Sequence, residues 1–231
     1  MATKLRPLGG GWQPLLEQAA GALESAGLDV SAMWLDVAAR RAAFARLAKF
    51  LDLVVAWNAR LDLTAARNAA ELVDLYLADA LVLAARAHAS GSIRESWVDV
   101  GSGGGAPGFV LGLLEPELRL TLVEPRQKRV AFLRTAVGSL RPSCIEVMGA
   151  RSDALPPSSS DVAVSRATFS PQEWLAEGAR LARRSVWILL ARAEPPALPG
   201  WQLQQRVDYS WPSSGASRHA LEFVPKDATS A

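Results

Sequence analysis

The segment Trp97-Val-Asp-Val-Gly-Ser-Gly-Gly-Gly-Ala-Pro-Gly108, followed by Leu122-Val-Glu124, constrains the fold of this chain more than any other stretch. It predicts a buried strand, a glycine loop, a helix start and a second strand that ends in a carboxylate. Glycines are needed where the backbone turns sharply out of a buried strand and approaches a bound molecule closely, because a Cβ would block that approach. A carboxylate at the end of the second strand, Glu124, suits the two ribose hydroxyls of an adenosine. Asp99, inside the first strand, suits a positively charged tail. Together with Gly101, Gly103 and Gly105 these acids point to S-adenosylmethionine. The pattern Gly103-x-Gly105-x-x-Gly108 also satisfies the dinucleotide fingerprint, so a nicotinamide or flavin cofactor stays open at this point. Asp99 weighs against it, since a pyrophosphate needs a helix N-terminus free of nearby negative charge.

The 231 residues accommodate one α/β domain with an extension, and are too few for two cofactor-sized domains. Half of them are hydrophobic, yet charges interrupt every apolar stretch before it reaches the length that spans a bilayer, which predicts a soluble protein with no membrane partner. The first residues, Met1-Ala-Thr-Lys-Leu-Arg-Pro, carry two basic side chains but no apolar run of the secretory kind, so a cytoplasmic location is expected. A monomer is expected as well. A single cysteine, Cys144, excludes an internal disulfide and reads as a small buried hydrophobe in a third strand. The two histidines, His88 and His219, stand apart from any carboxylate at metal-ligand spacing, so no metal is predicted. Net charge is only +2. A nucleic-acid footprint therefore rests on local clusters: Arg40-Arg41, Arg126 with Lys128-Arg129, and Arg183-Arg184. Each of these equally suits a solvated helix face.

Apolar spacing predicts helices over residues 13–27, 32–58 and 69–88, an N-terminal helical cap that ends near residue 90. Strands and helices then alternate over residues 91–226: strands at 97–101, 119–124, 145–148, 161–165 and 185–191, helices from Pro107, over 126–140 and over 171–182, and two late strands at 203–209 and 219–224. Residues 227–231 read as a tail. Such alternation predicts a doubly wound, mostly parallel, Rossmann-like sheet, and the closing hairpin gives it the antiparallel edge of a class I S-adenosylmethionine-dependent methyltransferase.

Ligands of such a sheet lie outside the carboxyl ends of the strands. After strand three come Ser152 and Asp153, where the acid either accepts an adenine amino group or caps a turn. After strand four come Ser165-Arg166-Ala167, on the side of the methyl acceptor. Enzymes that methylate exocyclic amines carry Asn or Asp and two prolines there, and this chain lacks that motif. The absence of an evident base fits an acceptor with a free lone pair and no proton to remove, such as guanine N7, where positioning does the work.

At these residues the chain resembles the RsmG (GidB) family of small-subunit (16S) ribosomal RNA guanine-N7 methyltransferases. The resemblance spans about residues 45–225 and is carried by Trp57-Asn58 with Leu61-Asp-Leu-Thr64, the glycine segment ending in Pro107-Gly108, Lys128-Arg129-Val-Ala-Phe-Leu133, Ser165-Arg166-Ala167 and Arg218-His219. It implies cofactor contacts at Gly101, Ala106, Ser152, Asp153 and Arg166, with Glu124 in place of the more usual aspartate. It also implies an RNA-facing Arg218, and ribosomal RNA or the assembling small subunit as partner. Arg166, Arg192 and Arg218 are then the residues expected to position a guanine or a phosphate. The chain departs from the family pattern on the substrate side. Leu75-Tyr76-Leu-Ala-Asp79-Ala80 stands where Arg-His, two residues and Asp-Ser are usual, Asp62 replaces an asparagine, and Leu190-Ala-Arg192-Ala193 replaces a Lys-Gly strand end. These departures leave open a different RNA substrate, or a module that binds cofactor or RNA without turnover.

Overall fold

The computed structural model describes residues 5–34, 36–191 and 194–226. The expected tail at 227–231 lies outside them, as does Arg192. Helix α1 (Trp12–Ser25) packs on α2 (Val37–Leu61), and Trp12 donates its indole N–H to Asp52 at 2.6 Å. Asp36 starts α2 by accepting from the Ala39 N–H at 2.8 Å, which satisfies one of the unpaired amides of a first helical turn. Asp62 ends it in a left-handed conformation, φ 47°. Asparagine and aspartate tolerate that conformation better than other side-chain-bearing residues, so the replacement of asparagine by Asp62 is a helix stop rather than a change in the site.

The helix expected at 69–88 is a composite. It comprises α3 (Ala69–Val73), a π turn (Asp74–Ala78) and α4 (Asp79–Ser90). Periodicity does not reveal a one-residue widening of this kind, because the apolar stripe passes through it with only a small phase shift. Gly91 closes α4 at φ 75°.

Then follow β1 (Ser96–Val100), α5 (Gly108–Leu114), β2 (Arg119–Val123), α6 (Gln127–Leu140), β3 (Ile145–Met148), β4 (Ser160–Arg166), α7 (Pro171–Leu181), β5 (Ala182–Leu190), β6 (Trp201–Ser210) and β7 (Ser217–Pro225). Helix α7 opens on a capping box, Ser170 with Glu173, and places Pro171 where a missing N–H costs nothing. Among the described residues the strands form one seven-stranded sheet in the order β3-β2-β1-β4-β5-β7-β6. All neighbours from β3 to β5 are parallel, while β7 pairs antiparallel with both β5 and β6. The strand order reverses between β1 and β4, and a ligand crevice is expected at that point. Cys144 lies just before β3 rather than within it and donates its thiol to the Gly112 carbonyl at 3.2 Å.

Alternate residues of the strands feed two hydrophobic clusters, one on each face. Trp97, Leu120, Leu122, Val162 and Val164 join the helices α1 to α6, with Phe44, Phe50, Phe109 and Phe132 fully buried. Val98, Val100, Ala163, Val186 and Ile188 face α7, through Trp174 and Leu175. The N-terminal helices therefore share the core of the sheet.

Candidate functional site

The loop between β1 and α5 is anchored from beneath. Gly101 and Ser102 donate their N–H groups to the Val123 carbonyl at 2.8 and 3.2 Å, and Ser102 returns its hydroxyl to the Asp99 carbonyl. Asp99 is 1% exposed, and one of its carboxylate oxygens accepts the Gly108 N–H at 3.1 Å, in the first turn of α5. Burial pushes the Asp99 carboxyl up to about 6, against the pull of the Gly108 amide and the charge of Arg166. Asp99 thus braces the loop and the start of α5 from below and does not line the cavity above them. Glu124, just past β2, receives the Gly103 N–H at 2.9 Å on one oxygen and the Arg126 N–H at 2.8 Å on the other. It ties the first glycine loop to the start of α6, and each oxygen keeps a second lone pair of the kind a ribose hydroxyl needs.

The glycines answer to the protein as much as to a ligand. A Cβ on Gly104 would lie 2.6 Å from the Tyr76 hydroxyl and 2.8 Å from the Leu63 carbonyl. Gly105 has φ +93°, and a Cβ there would meet Phe50 at 2.7 Å. The loop is small because the N-terminal helices lie directly on it, in addition to any cofactor. This contact with the helices adds a second reason for the glycines to the sharp turn and close ligand approach expected from the sequence.

Above the loop lies a cavity of about 300 Å³ lined by Gly101 to Gly104, Ala106, Leu63 to Ala65, Leu75, Tyr76, Arg129, and Arg166 to Thr168. Leu63 to Ala65 reach it from the end of α2 because Asn58 accepts the Thr64 N–H at 2.9 Å, which explains the Asn58 to Thr64 signature. Of the residues expected at the site, Gly101, Gly103, Ala106 and Arg166 surround this one cavity, and Glu124 touches it through Gly103. Gly105 belongs to the same loop but faces Phe50. Ser152 and Asp153 sit on the neighbouring loop after β3, exposed or half-exposed, with Asp153 3.5 Å from Arg151. Tyr76, read from the sequence only as a departure from the family pattern, lines the cavity, as do Arg129 and Thr168, which were not among the expected site residues. The signal for Arg129 lay in the Lys128-Arg129-x-x-Phe-Leu helix, which reads there as a family signature and not as a wall of the site.

Asp79 organises the side of the site beyond β4. It is 1% exposed, and Arg166 donates to it at 2.9 Å and to the Leu75 carbonyl, inside the π turn, at 2.6 Å. On its other oxygen it accepts the Tyr209 hydroxyl at 2.8 Å and the Trp211 indole at 3.3 Å. The Arg218 guanidinium lies 3.6 Å from the centre of the Trp211 ring, a cation–π contact. Arg218 and Arg166 are thereby linked through Trp211 and Asp79, although Arg218 does not line the cavity. Asp79 is the acid of the otherwise altered Leu75-to-Ala80 segment, and its hub role is invisible until β6 and β7 fold against α4.

The donor set and the open backbone fit an adenosine-linked amino acid. Lone pairs of Glu124 stand beside the loop, the lining offers the cationic groups of Arg129 and Arg166, and no aspartate, glutamate or histidine is among its described residues. Helices of the described residues are all too short or too polar to cross a membrane.

Comparison with known proteins agrees with this arrangement. The family described as GidB, rRNA small subunit methyltransferase G, matches residues 43–204. Ribosomal RNA small subunit methyltransferase G of Pseudomonas aeruginosa is 34% identical over 184 residues, covering 76% of this chain and 84% of the relative. The protein of that name from Nitrosomonas eutropha is 28% identical over 186 residues, covering 76% and 85%. Magnesium protoporphyrin IX methyltransferase from Synechocystis PCC 6803, solved with bound SAM, superposes with a TM-score of 0.51 at 14% identity, over 64% of this chain and 78% of that one, and shares the fold. With the glycine loop, the Asn58 to Thr64 turn, the α6 signature and Arg166 all assembled around one cavity, the chain belongs to the GidB family of rRNA small subunit methyltransferases.

Proposed function

We propose that this protein methylates N7 of one guanine in small-subunit ribosomal RNA, acting in the cytoplasm as a monomer on the assembling subunit. The observation that carries the choice of atom is the chemistry of the cavity lining: arginines, a phenol, a threonine pair and backbone, with no carboxylate or histidine among its described residues to take a proton. Guanine N7 holds an in-plane lone pair and no hydrogen, so the site has only to orient it. S-adenosylmethionine, when bound, supplies an electrophilic methyl group. The chain's own residues supply the rest. The loop Gly101 to Gly104 presents backbone to the cavity, and Glu124 is fixed where it meets ribose hydroxyls. Arg166 is held in a single orientation by Asp79 and the Leu75 carbonyl, so its charge is placed before anything binds. Arg218, on its Trp211 platform, and Arg192 meet RNA phosphate or base. Membership of the GidB family removes the support for the dinucleotide reading of the glycine pattern.

The test uses purified protein, methyl-labelled S-adenosylmethionine and small subunits from cells that lack their own enzyme, with the RNA then cleaved at N7-methylguanine. Label at a single guanine is expected. Binding of S-adenosylhomocysteine without transfer to any ribosomal substrate would replace this reading with a binding module.

A further inference from the structure

Tyr76 stands where the family usually has histidine, and it is 2% exposed with its ring packed edge-on against Phe50, centres 5.9 Å apart. Its hydroxyl has no hydrogen-bond partner among the described residues, yet Tyr76 lines the cavity, with the hydroxyl directly over the Gly104 backbone. The ring is buried but the hydroxyl opens onto the cavity, where it is a donor free for whatever occupies that space. Arg129 repeats the pattern next to it, over the adjacent loop residue. It is half-buried in the first turn of α6, its guanidinium lies beside Gly103, and it has neither an ion pair nor a side-chain hydrogen bond among the described residues. Arg166 spends one nitrogen on Asp79 and Leu75 and leaves the others free among the same residues.

Arg166 has its acid in Asp79, whereas no carboxylate lines the cavity beside Tyr76 and Arg129 among the described residues. Asp79, Asp99 and Glu124 are each 2% exposed or less, and each already accepts N–H or O–H groups of the protein. The Tyr76 hydroxyl, the Arg129 guanidinium and the remaining nitrogens of Arg166 therefore border one small space, and the charge of Arg129 has no acidic partner among the described residues, which calls for an anionic acceptor. S-adenosylmethionine carries one anionic group, the carboxylate of its amino-acid tail. We propose that Tyr76 and Arg129 bind that carboxylate, the phenol O–H and the guanidinium both donating to it. The assignment rests on the function proposed above and gives the Tyr76 replacement a positive role: a neutral donor at the cavity wall where a histidine would be a donor only in the right tautomer or when protonated.

The test is calorimetric and needs no turnover. Wild-type protein, Tyr76→Phe and Arg129→Gln are titrated with S-adenosylhomocysteine and with methylthioadenosine, which shares the adenosine and the sulfur but lacks the amino-acid tail. Phenylalanine keeps the ring on Phe50, and a thermal melt of each variant checks that it folds. Tyr76→Phe and Arg129→Gln are each expected to weaken S-adenosylhomocysteine about tenfold, as for loss of a hydrogen bond to a charged group, and to leave methylthioadenosine within about twofold. Equal weakening of both ligands by either variant, or unchanged affinity for S-adenosylhomocysteine, overturns the assignment. If affinity for S-adenosylhomocysteine is unchanged while affinity for small subunits falls, the acceptor is an RNA phosphate instead. Wild-type protein that binds neither nucleoside overturns the proposed function itself, a result distinguishable from any that the variants give.

Discussion

The two sides of the cavity are built in opposite ways. The glycine loop and its braces, Asp99 and Glu124, come from one stretch of about thirty residues, and their hydrogen bonds join neighbouring turns of a single β-α-β unit. The Asp79 hub draws on residues separated by 87, 130 and 132 positions, from α4, β4 and the end of β6. Local construction makes the loop and its braces readable from sequence. Distant construction makes the hub unreadable and dependent on the whole fold, but it is what fixes the orientation of Arg166 and, through Trp211, the position of Arg218. Departures from the family pattern gather on this second side, while the acid at its centre is retained.

The largest effect is expected of Asp79→Ala. It leaves Arg166 with its charge uncompensated and strands the Tyr209 hydroxyl and the Trp211 indole, and breaking a largely buried pair of this kind costs about 3–5 kcal/mol. Urea denaturation should show that loss, together with weakened RNA binding. A loss below about 1 kcal/mol would mean that the hub does not hold β6 and β7 to α4. Next comes Gly105→Ala on the loop side. A left-handed backbone and a contact with Phe50 should together cost about 2–4 kcal/mol, also read in urea. A near-silent Gly105→Ala would show that the loop shape is set by ligand approach and not by the helices above it.

The smallest effect is a pH slope. Asp99 is pushed up to about 6 and Glu115 up to about 7, in both cases chiefly by burial, with Gly108 and His88 respectively offsetting part of it. Both carboxyls hold their protons more tightly in the folded state than in the unfolded one, where they titrate in the ordinary carboxylate range of about 4. Their contribution to stability is therefore fully present below about pH 4 and is lost as pH rises towards 7. Asp161 acts in the other direction but only at lower pH, since its carboxyl lies at about 2 and its stabilisation is lost as pH falls below 4. Asp99→Asn keeps the acceptor for Gly108 and should remove about 1–3 kcal/mol of the fall between pH 4 and 7, measured by denaturation at several pH values. An unaltered slope would show that Asp99 titrates as it does in the unfolded chain.

Much of the fold was legible in sequence for a physical reason. Strands buried on both faces, such as 162–164 and 186–190, are continuous apolar runs, which a short segment shows by itself. The family signatures could be read as order and spacing. Neither the π turn nor its consequence could be. The wider turn sets Leu75 and Tyr76 against the site only because α2 and the glycine loop press on the same helix. Arg166 was legible as a site residue but not as half of an ion pair, and Arg218 was legible as a cation but not as one resting on an indole.

By itself, then, the sequence determined the doubly wound sheet, the crevice over Gly101 to Gly108 and the kind of molecule that crevice takes, because strand period, glycine geometry and the acid after a strand are properties of short segments. Only the tertiary structure decided which groups face the cavity, that Asp79 commits Arg166, Tyr209 and Trp211 to one another, and that Tyr76 and Arg129 are left without partners among the described residues. Those are outcomes of desolvation and of contact between segments far apart in the chain, and whether a buried polar group is satisfied or left waiting is fixed only when every segment is in place.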